Sequence, residues 1–239
     1  MFHPRGPTLA ELARQALSST ERGYDLLAPK FEYTPFRTPE PLLLAVAAEL
    51  GPPGSVERAI DLCCGTGAAM GVLRPLCRRA IVGVDFSSGM LREAERLLAD
   101  APGQAEICLL KADVCRLSMP DRFDLATCFG ALGHIPPGAE HRFIQSVATL
   151  LQPGGRFVFV TCEHPPWYAP GALLARGFNG AMRVRNALLS PPFLMYYLRF
   201  TLPGVRALLE QHGLSCEVRP LEAPQVDRRV RLVIARRSG

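Results

Sequence analysis

Apolar positions follow two rhythms along the chain. Short apolar runs near residues 58–62, 80–85, 106–110, 123–128, 156–162, 214–221 and 229–236 suit strands covered on both faces. Between most of them, near 68–77, 88–100, 139–150 and 202–212, apolar residues recur at helical spacing. Alternation of this kind predicts an α/β fold, a mostly parallel sheet sandwiched between two helical layers. Two further helices are expected at the N-terminus. Thr8-Leu9-Ala10-Glu11 is a capping box that opens a helix reaching about Ser18 or beyond, and Thr38-Pro39 should open another that runs to Leu50. The short connection around Ala223-Pro224-Gln225 suits a hairpin, which makes the seventh strand the antiparallel member.

Chemistry concentrates where the first two strands end. Ile60-Asp61-Leu62-Cys63-Cys64-Gly65-Thr66-Gly67 reads as a strand running into a sharp turn, and Gly65 and Gly67 allow positive φ and close backbone approach. The second strand ends at Asp85, 18 residues after Gly67. An ionised carboxylate there can accept from both hydroxyls of a ribose, so the unit suits a nucleoside. A dinucleotide fingerprint places a small third residue after the two glycines; here Met70 stands there, with Gly71 next to it.

Composition narrows the picture. At 239 residues and 48% hydrophobic, the chain can build one large core, and no linker or repeat divides it. The longest wholly apolar run, Leu42–Ala48, is far short of the ~18 residues of a membrane span. With no basic-then-apolar leader at the start, a cytoplasmic protein is expected. Eight cysteines without a Cys-x-x-Cys pair speak for free thiols rather than for zinc or disulfides. The net charge of +5 is too mild for a nucleic-acid binder, and six arginines between 219 and 237 read as a solvated sheet edge, with attraction of an anionic surface as the alternative.

Five motifs in order over residues 58–160 then make a family resemblance specific: Asp61–Gly67; Val84-Asp85-Phe86-Ser87-Ser88-Gly89-Met90-Leu91; Lys111-Ala112-Asp113-Val114; Phe123-Asp124-Leu125; and Leu151-Gln152-Pro153-Gly154-Gly155-Arg156. The chain resembles the class I S-adenosylmethionine-dependent methyltransferases, in particular small-molecule members of the type 11/25 group. It departs from them at Cys63, where a glycine more often stands. The resemblance implies a Rossmann-like three-layer α/β/α sandwich with strand order 3-2-1-4-5-7-6 and S-adenosyl-L-methionine as cofactor. It also implies one methyltransferase domain, with a helical lid over 1–50, a cofactor core over 56–162, a substrate cap over 163–201 and a last helix and two strands over 202–239.

The ligand should then lie beyond the carboxyl ends of strands one, two and four. Asp85 would take the ribose, Phe86 and Met90 would wall the adenine, and Asp113 and the Val114 N–H would meet its edge. At the methionine end Cys63, Gly65 and Gly67 would offer backbone, Asp61 would attract the ammonium, and Tyr33 or Arg37 from the lid-like Tyr24–Pro39 would close over the carboxylate. Phe129 and His134 leave strand four beside the expected sulfonium. His134 is the first candidate for a general base, though a structural histidine is the favoured reading of that residue, and Glu163 and His164 come next. Trp167, Tyr168 and the other aromatics of the cap suit an apolar or aromatic small molecule.

The pattern leaves the acceptor open among a polyketide, a phenol, a quinone and an amine, with oxygen or carbon favoured over nitrogen. Nucleic-acid methylation is disfavoured, because Phe129-Gly130-Ala131-Leu132 stands where base-directed members often carry Asn/Asp-Pro-Pro-aromatic. Two rivals stay open: a catalytically silent cofactor-binding partner subunit, and a nicotinamide oxidoreductase using the same carboxylate.

Overall fold

The computed structural model describes residues 3–120, 122–224 and 226–239, so Gln225 of the expected hairpin lies outside the described residues. Seven strands form one sheet: β1 (Val56–Leu62), β2 (Cys77–Asp85), β3 (Glu106–Lys111), β4 (Phe123–Cys128), β5 (Leu151–Cys162), β6 (Leu214–Pro220) and β7 (Val230–Arg237). Their order is β3-β2-β1-β4-β5-β7-β6. The pairs from β3 to β5 are parallel, and β7 runs antiparallel to both of its neighbours.

Period-two alternation explains why the strands read as continuous apolar runs. Ile60, Leu62, Val82, Val84, Phe157, Phe159, Val233 and Ala235 turn to one layer, where they meet Phe143, Ile144 and Val147 of α6 (Glu140–Leu150) and Val205 and Leu209 of α8 (Gly204–Gln211). The intervening Ala59, Ile81, Leu125, Val158 and Leu232 turn to the other layer. There they meet α3 (Glu40–Leu50), α4 (Ala68–Leu73) and α5 (Ser88–Leu98).

Met70, the residue that breaks the dinucleotide pattern, is fully buried beneath β2. A side chain at Gly83 would run into its thioether and into Cys64 Sγ, which lies 2.9 Å from where a Cβ would stand. Gly83→Val is therefore expected to cost about 1–3 kcal/mol by overpacking, or roughly 2–12 °C in Tm for a chain of this size. Gly177→Ala, at an open helical position, should not lower Tm and serves as the control in the same melts.

The capping box at α1 (Leu9–Ala16) is present, with Glu11 N–H donating to Thr8 Oγ1 at 3.2 Å and Thr8 N–H donating to Glu11 Oε2 at 2.7 Å. Several elements differ from expectation, among them β5, which starts at Leu151 rather than near 156. Pro39 rather than Thr38 occupies the cap of α3, in an extended conformation with no side-chain hydrogen bond. The fourth helix stops at Leu73, because Pro75 lacks an N–H and the chain tightens into a 3-10 turn over Arg74–Leu76 before Cys77 opens β2. An additional helix, α2 (Thr20–Leu27), follows α1, capped by Ser19 Oγ accepting from Arg22 N–H at 3.1 Å. Between β5 and α8 the chain forms α7 (Pro170–Leu188) and an irregular return.

Candidate functional site

A cavity of about 310 Å³ opens at the carboxyl ends of β1, β2 and β4. β1 delivers Asp61 into it, and the chain then turns through Cys63 (φ 57°) and Gly65 (φ 54°) before Gly67 (φ 82°) starts α4. Positive φ at Cys63 explains the family's preference for glycine there, since a Cβ in that region costs roughly 1–2 kcal/mol. A Cβ built on Gly65 meets nothing within 4 Å, so the loop leaves room for a ligand against its backbone. Gly67 serves packing instead. Its Cβ would stand 2.7 Å from Leu98 Cδ1, so its absence lets α4 approach α5, and Gly67 lines a neighbouring cavity.

Two buried carboxylates face this turn. Asp85 accepts from Gly65 N–H at 3.0 Å and from Ser87 N–H at 2.8 Å, one on each oxygen, which leaves further lone pairs for a ligand. Burial raises its pKa, against the pull of those backbone donors. Asp61 pairs in register with Thr127, whose hydroxyl donates to Asp61 Oδ1 at 2.7 Å. Burial carries the Asp61 carboxyl up to about 7, with the Thr127 bond opposing and the Asp85 charge adding to the rise. A buried acid held near neutrality invites a cation.

The opposite wall is His134, reached through a 3-10 turn (Leu132–His134) after β4. Its Nδ1 lies 2.5 Å from the Leu194 carbonyl, which can only accept, so Nδ1 carries the proton. Nε2 is therefore the acceptor for the Tyr24 hydroxyl at 2.7 Å. Burial lowers the His134 pKa and raises that of Tyr24, so the pair rests as neutral imidazole and phenol. Tyr24, within the lid-like segment, lines the cavity. It stands one helical turn before the buried Ala28 and next to Asp25, whose Oδ1 accepts from Ser87 Oγ and Gly89 N–H, each at 2.7 Å, and so ties α2 to the start of α5.

Of the expected site residues, the cavity brings together Arg37, Asp61, Cys63, Gly65, Asp85, Phe86, Met90, Phe129 and His134. Tyr33, Asp113 and Val114 stand outside it. Tyr33 stacks on His3 at 4.9 Å, with Arg5 over its ring. Asp113 accepts from Cys115 N–H at 2.9 Å and caps its own turn, and Val114 is buried in the core. Arg37 pairs with Glu32 at 2.6 Å, and Glu32 also accepts from Thr66 Oγ1 at 2.7 Å, which fastens the N-terminal segment to the glycine loop. From the expected cap only Met195 and Tyr197 reach the cavity. Glu163 and His164 are exposed, and His164 bonds Thr201 at 2.9 Å.

Residues 59–155, from β1 into β5, match the family described as a methyltransferase domain. Over those residues the chain carries the methyltransferase domain of the class I S-adenosylmethionine-dependent enzymes. The chain is 29% identical over 170 residues to a ubiquinone biosynthesis O-methyltransferase of Albidiferax ferrireducens, which covers 69% of this chain and 64% of that one. It is 30% identical over 165 residues to a demethylmenaquinone methyltransferase of Beutenbergia cavernae, covering 66% and 65%. It thus spans a little under two thirds of the length of either relative.

Among solved structures, an O-methyltransferase family protein from Burkholderia thailandensis shares the fold with a TM-score of 0.68 at 21% identity, over 97% of this chain and 67% of that one. The N-methyltransferase NodS from Bradyrhizobium japonicum, solved with S-adenosyl-L-homocysteine, has a TM-score of 0.66 at 17% identity, over 93% and 100%. The residues around the cavity suit the cofactor in kind: Gly65 leaves an open backbone turn, Asp85 could take a diol, Asp61 an ammonium, and Arg37, which pairs with Glu32, a carboxylate.

Proposed function

We propose that the chain methylates a small apolar or aromatic acceptor at oxygen or carbon, in the cytosol. One observation carries the reading: the two buried carboxylates beside the Gly65 turn and the hydrogen-bonded Tyr24–His134 pair line the same cavity. S-Adenosylmethionine would supply an electrophilic methyl group. Asp85 accepts from the ribose hydroxyls, Phe86 and Met90 flank the base, Asp61 draws the ammonium, and Arg37 draws the carboxylate. Residues 1–50 act as the lid, 56–162 as the cofactor core and 163–201 as the cap, of which Met195 and Tyr197 meet the acceptor.

Positioning supplies most of the rate of such an in-line displacement, roughly 7–11 kcal/mol for well-aligned partners. A neutral His134 with its lone pair toward Tyr24 suits an acceptor that must give up a proton, a hydroxyl or an activated carbon, more than an amine. The names of the two relatives, an O-methyltransferase and a demethylmenaquinone methyltransferase, agree with that preference.

Calorimetric titration with S-adenosylmethionine, S-adenosylhomocysteine and NADH tests this reading. Binding is expected for the first two alone. Asp61 titrates near 7 in the free protein, and pairing with an ammonium requires its ionised form. Binding should therefore release a proton below that pH, and affinity should rise as pH climbs toward about 7 and then level off, by at most about tenfold per pH unit. Absence of binding to the two adenosyl ligands, or a preference for NADH, overturns it.

A further inference from the structure

Helix α7 is built with two different faces and buries only one of them. Of its 19 residues only Ala172 and Met182 are buried. Leu174 and Leu188 are 78% and 76% exposed, and Leu173 and Val184 are exposed as well. At about 100° per residue these four fall in one sector about 100° wide, with Arg176 and Arg183 along one flank. Just ahead of the helix, Trp167 and Tyr168 are exposed too, and the Trp167 carbonyl accepts from Arg176 Nη1 at 3.1 Å. Arg185 extends the surface to α1 by donating to the Ala16 carbonyl at 3.0 Å and the Ser18 carbonyl at 2.9 Å, beside the exposed Leu17.

Charge says what could cover this face. Helix α7 carries three arginines, Arg176, Arg183 and Arg185, and no acidic residue. A second copy docked through a two-fold axis would set those arginines against each other. An anionic bilayer complements them, while aliphatic and aromatic side chains enter the headgroup boundary. Among the described residues no helix is long and apolar enough to cross a membrane, which leaves adsorption in the interface plane.

We propose that the outer face of α7, with Trp167, Tyr168 and Leu17, is a docking surface for anionic lipid bilayers. The inner face of the same helix holds a wall of the cavity. Asn179 exchanges hydrogen bonds with the Tyr197 backbone at 3.0 and 2.9 Å, and Phe178 packs on the Tyr197 ring at 5.0 Å between centroids. A bilayer on the outer face would therefore lie about one helix diameter, ~10 Å, from that wall.

The test is co-sedimentation of the full chain with vesicles of phosphatidylcholine alone and of equimolar phosphatidylcholine and phosphatidylglycerol. Partition into the anionic vesicles is expected, weakening as salt is raised. Arg176→Gln with Arg183→Gln should lower it about thirtyfold, about fivefold per arginine, and Leu174→Asp with Leu188→Asp at least tenfold. Thermal melts and S-adenosylmethionine titrations of both double variants should match the parent, because all four side chains are exposed and outside the cofactor cavity. The proposal is overturned if neither vesicle pellets the protein, if the variants partition like the parent, or if sedimentation equilibrium shows a dimer that the leucine substitutions dissolve while vesicle binding is absent. Cofactor titration reads the methyltransferase assignment separately, so failure of one leaves the other standing.

Discussion

Replacing Asp85 with alanine is expected to weaken S-adenosylmethionine binding by ten- to over a hundredfold while the protein stays folded. A hydrogen bond to a charged group contributes about 1.5–3 kcal/mol, and the lone pairs that Gly65 N–H and Ser87 N–H leave free face the cavity. Stability should change far less than affinity. Burial already penalises the ionised carboxylate, so its removal relieves a desolvation cost, and water in the cavity can take over the two backbone donors. Asparagine is a poor conservative control, since each carboxylate oxygen receives an N–H and an amide nitrogen would set a donor against a donor. Titration calorimetry paired with a thermal melt separates the outcomes. A folded variant that binds as tightly as the parent removes Asp85 from the binding site.

The sheet was legible because strands buried on both faces leave uninterrupted apolar runs, and the glycine turn with its distant carboxylate is a pattern in sequence before it is one in space. The strand order came from the family resemblance and matches the structure. What escaped was non-local. Helix α2 has only eight residues, and Gly23 in its middle weakens the helical signal. The partner of Tyr24 lies 110 residues away, so nothing near Tyr24 marks it. Asp113 follows an apolar strand in the same way whether it meets a ligand or caps a turn, and in the structure one of its oxygens caps the turn, accepting from Cys115 N–H at 2.9 Å. The aromatic-rich segment misled for a related reason: composition cannot tell an inward ring from an outward one. Phe193 and Tyr196 are buried, Tyr197 lines the cavity, and Trp167 and Tyr168 face solvent.

The Tyr24–His134 pair carries the second large effect. Leu194 fixes the imidazole tautomer through Nδ1, so the only lone pair of His134 points at Tyr24. An acceptor hydroxyl placed against the phenol can pass its proton to Tyr24 Oη while the phenolic proton moves to Nε2. The chain then ends with an imidazolium that keeps its Nδ1–H on Leu194. Tyr24 need not ionise beforehand, which suits a phenol whose pKa burial raises. With an acceptor that must lose a proton, His134→Ala is expected to lower kcat by about 10² to 10⁴, and Tyr24→Phe by a comparable factor. The double variant should be little worse than either single one, since both cut the same route. The sign of the pH dependence follows from the lowered His134 pKa: the base is available once deprotonated, so kcat should rise through a value below the ordinary 6.5 or so of histidine and stay flat through neutrality. Both single variants should lose that rise and keep their affinity for S-adenosylhomocysteine. An unchanged kcat in His134→Ala, with the cofactor still bound, would leave the histidine as a brace for Leu194 and transfer the whole rate to positioning.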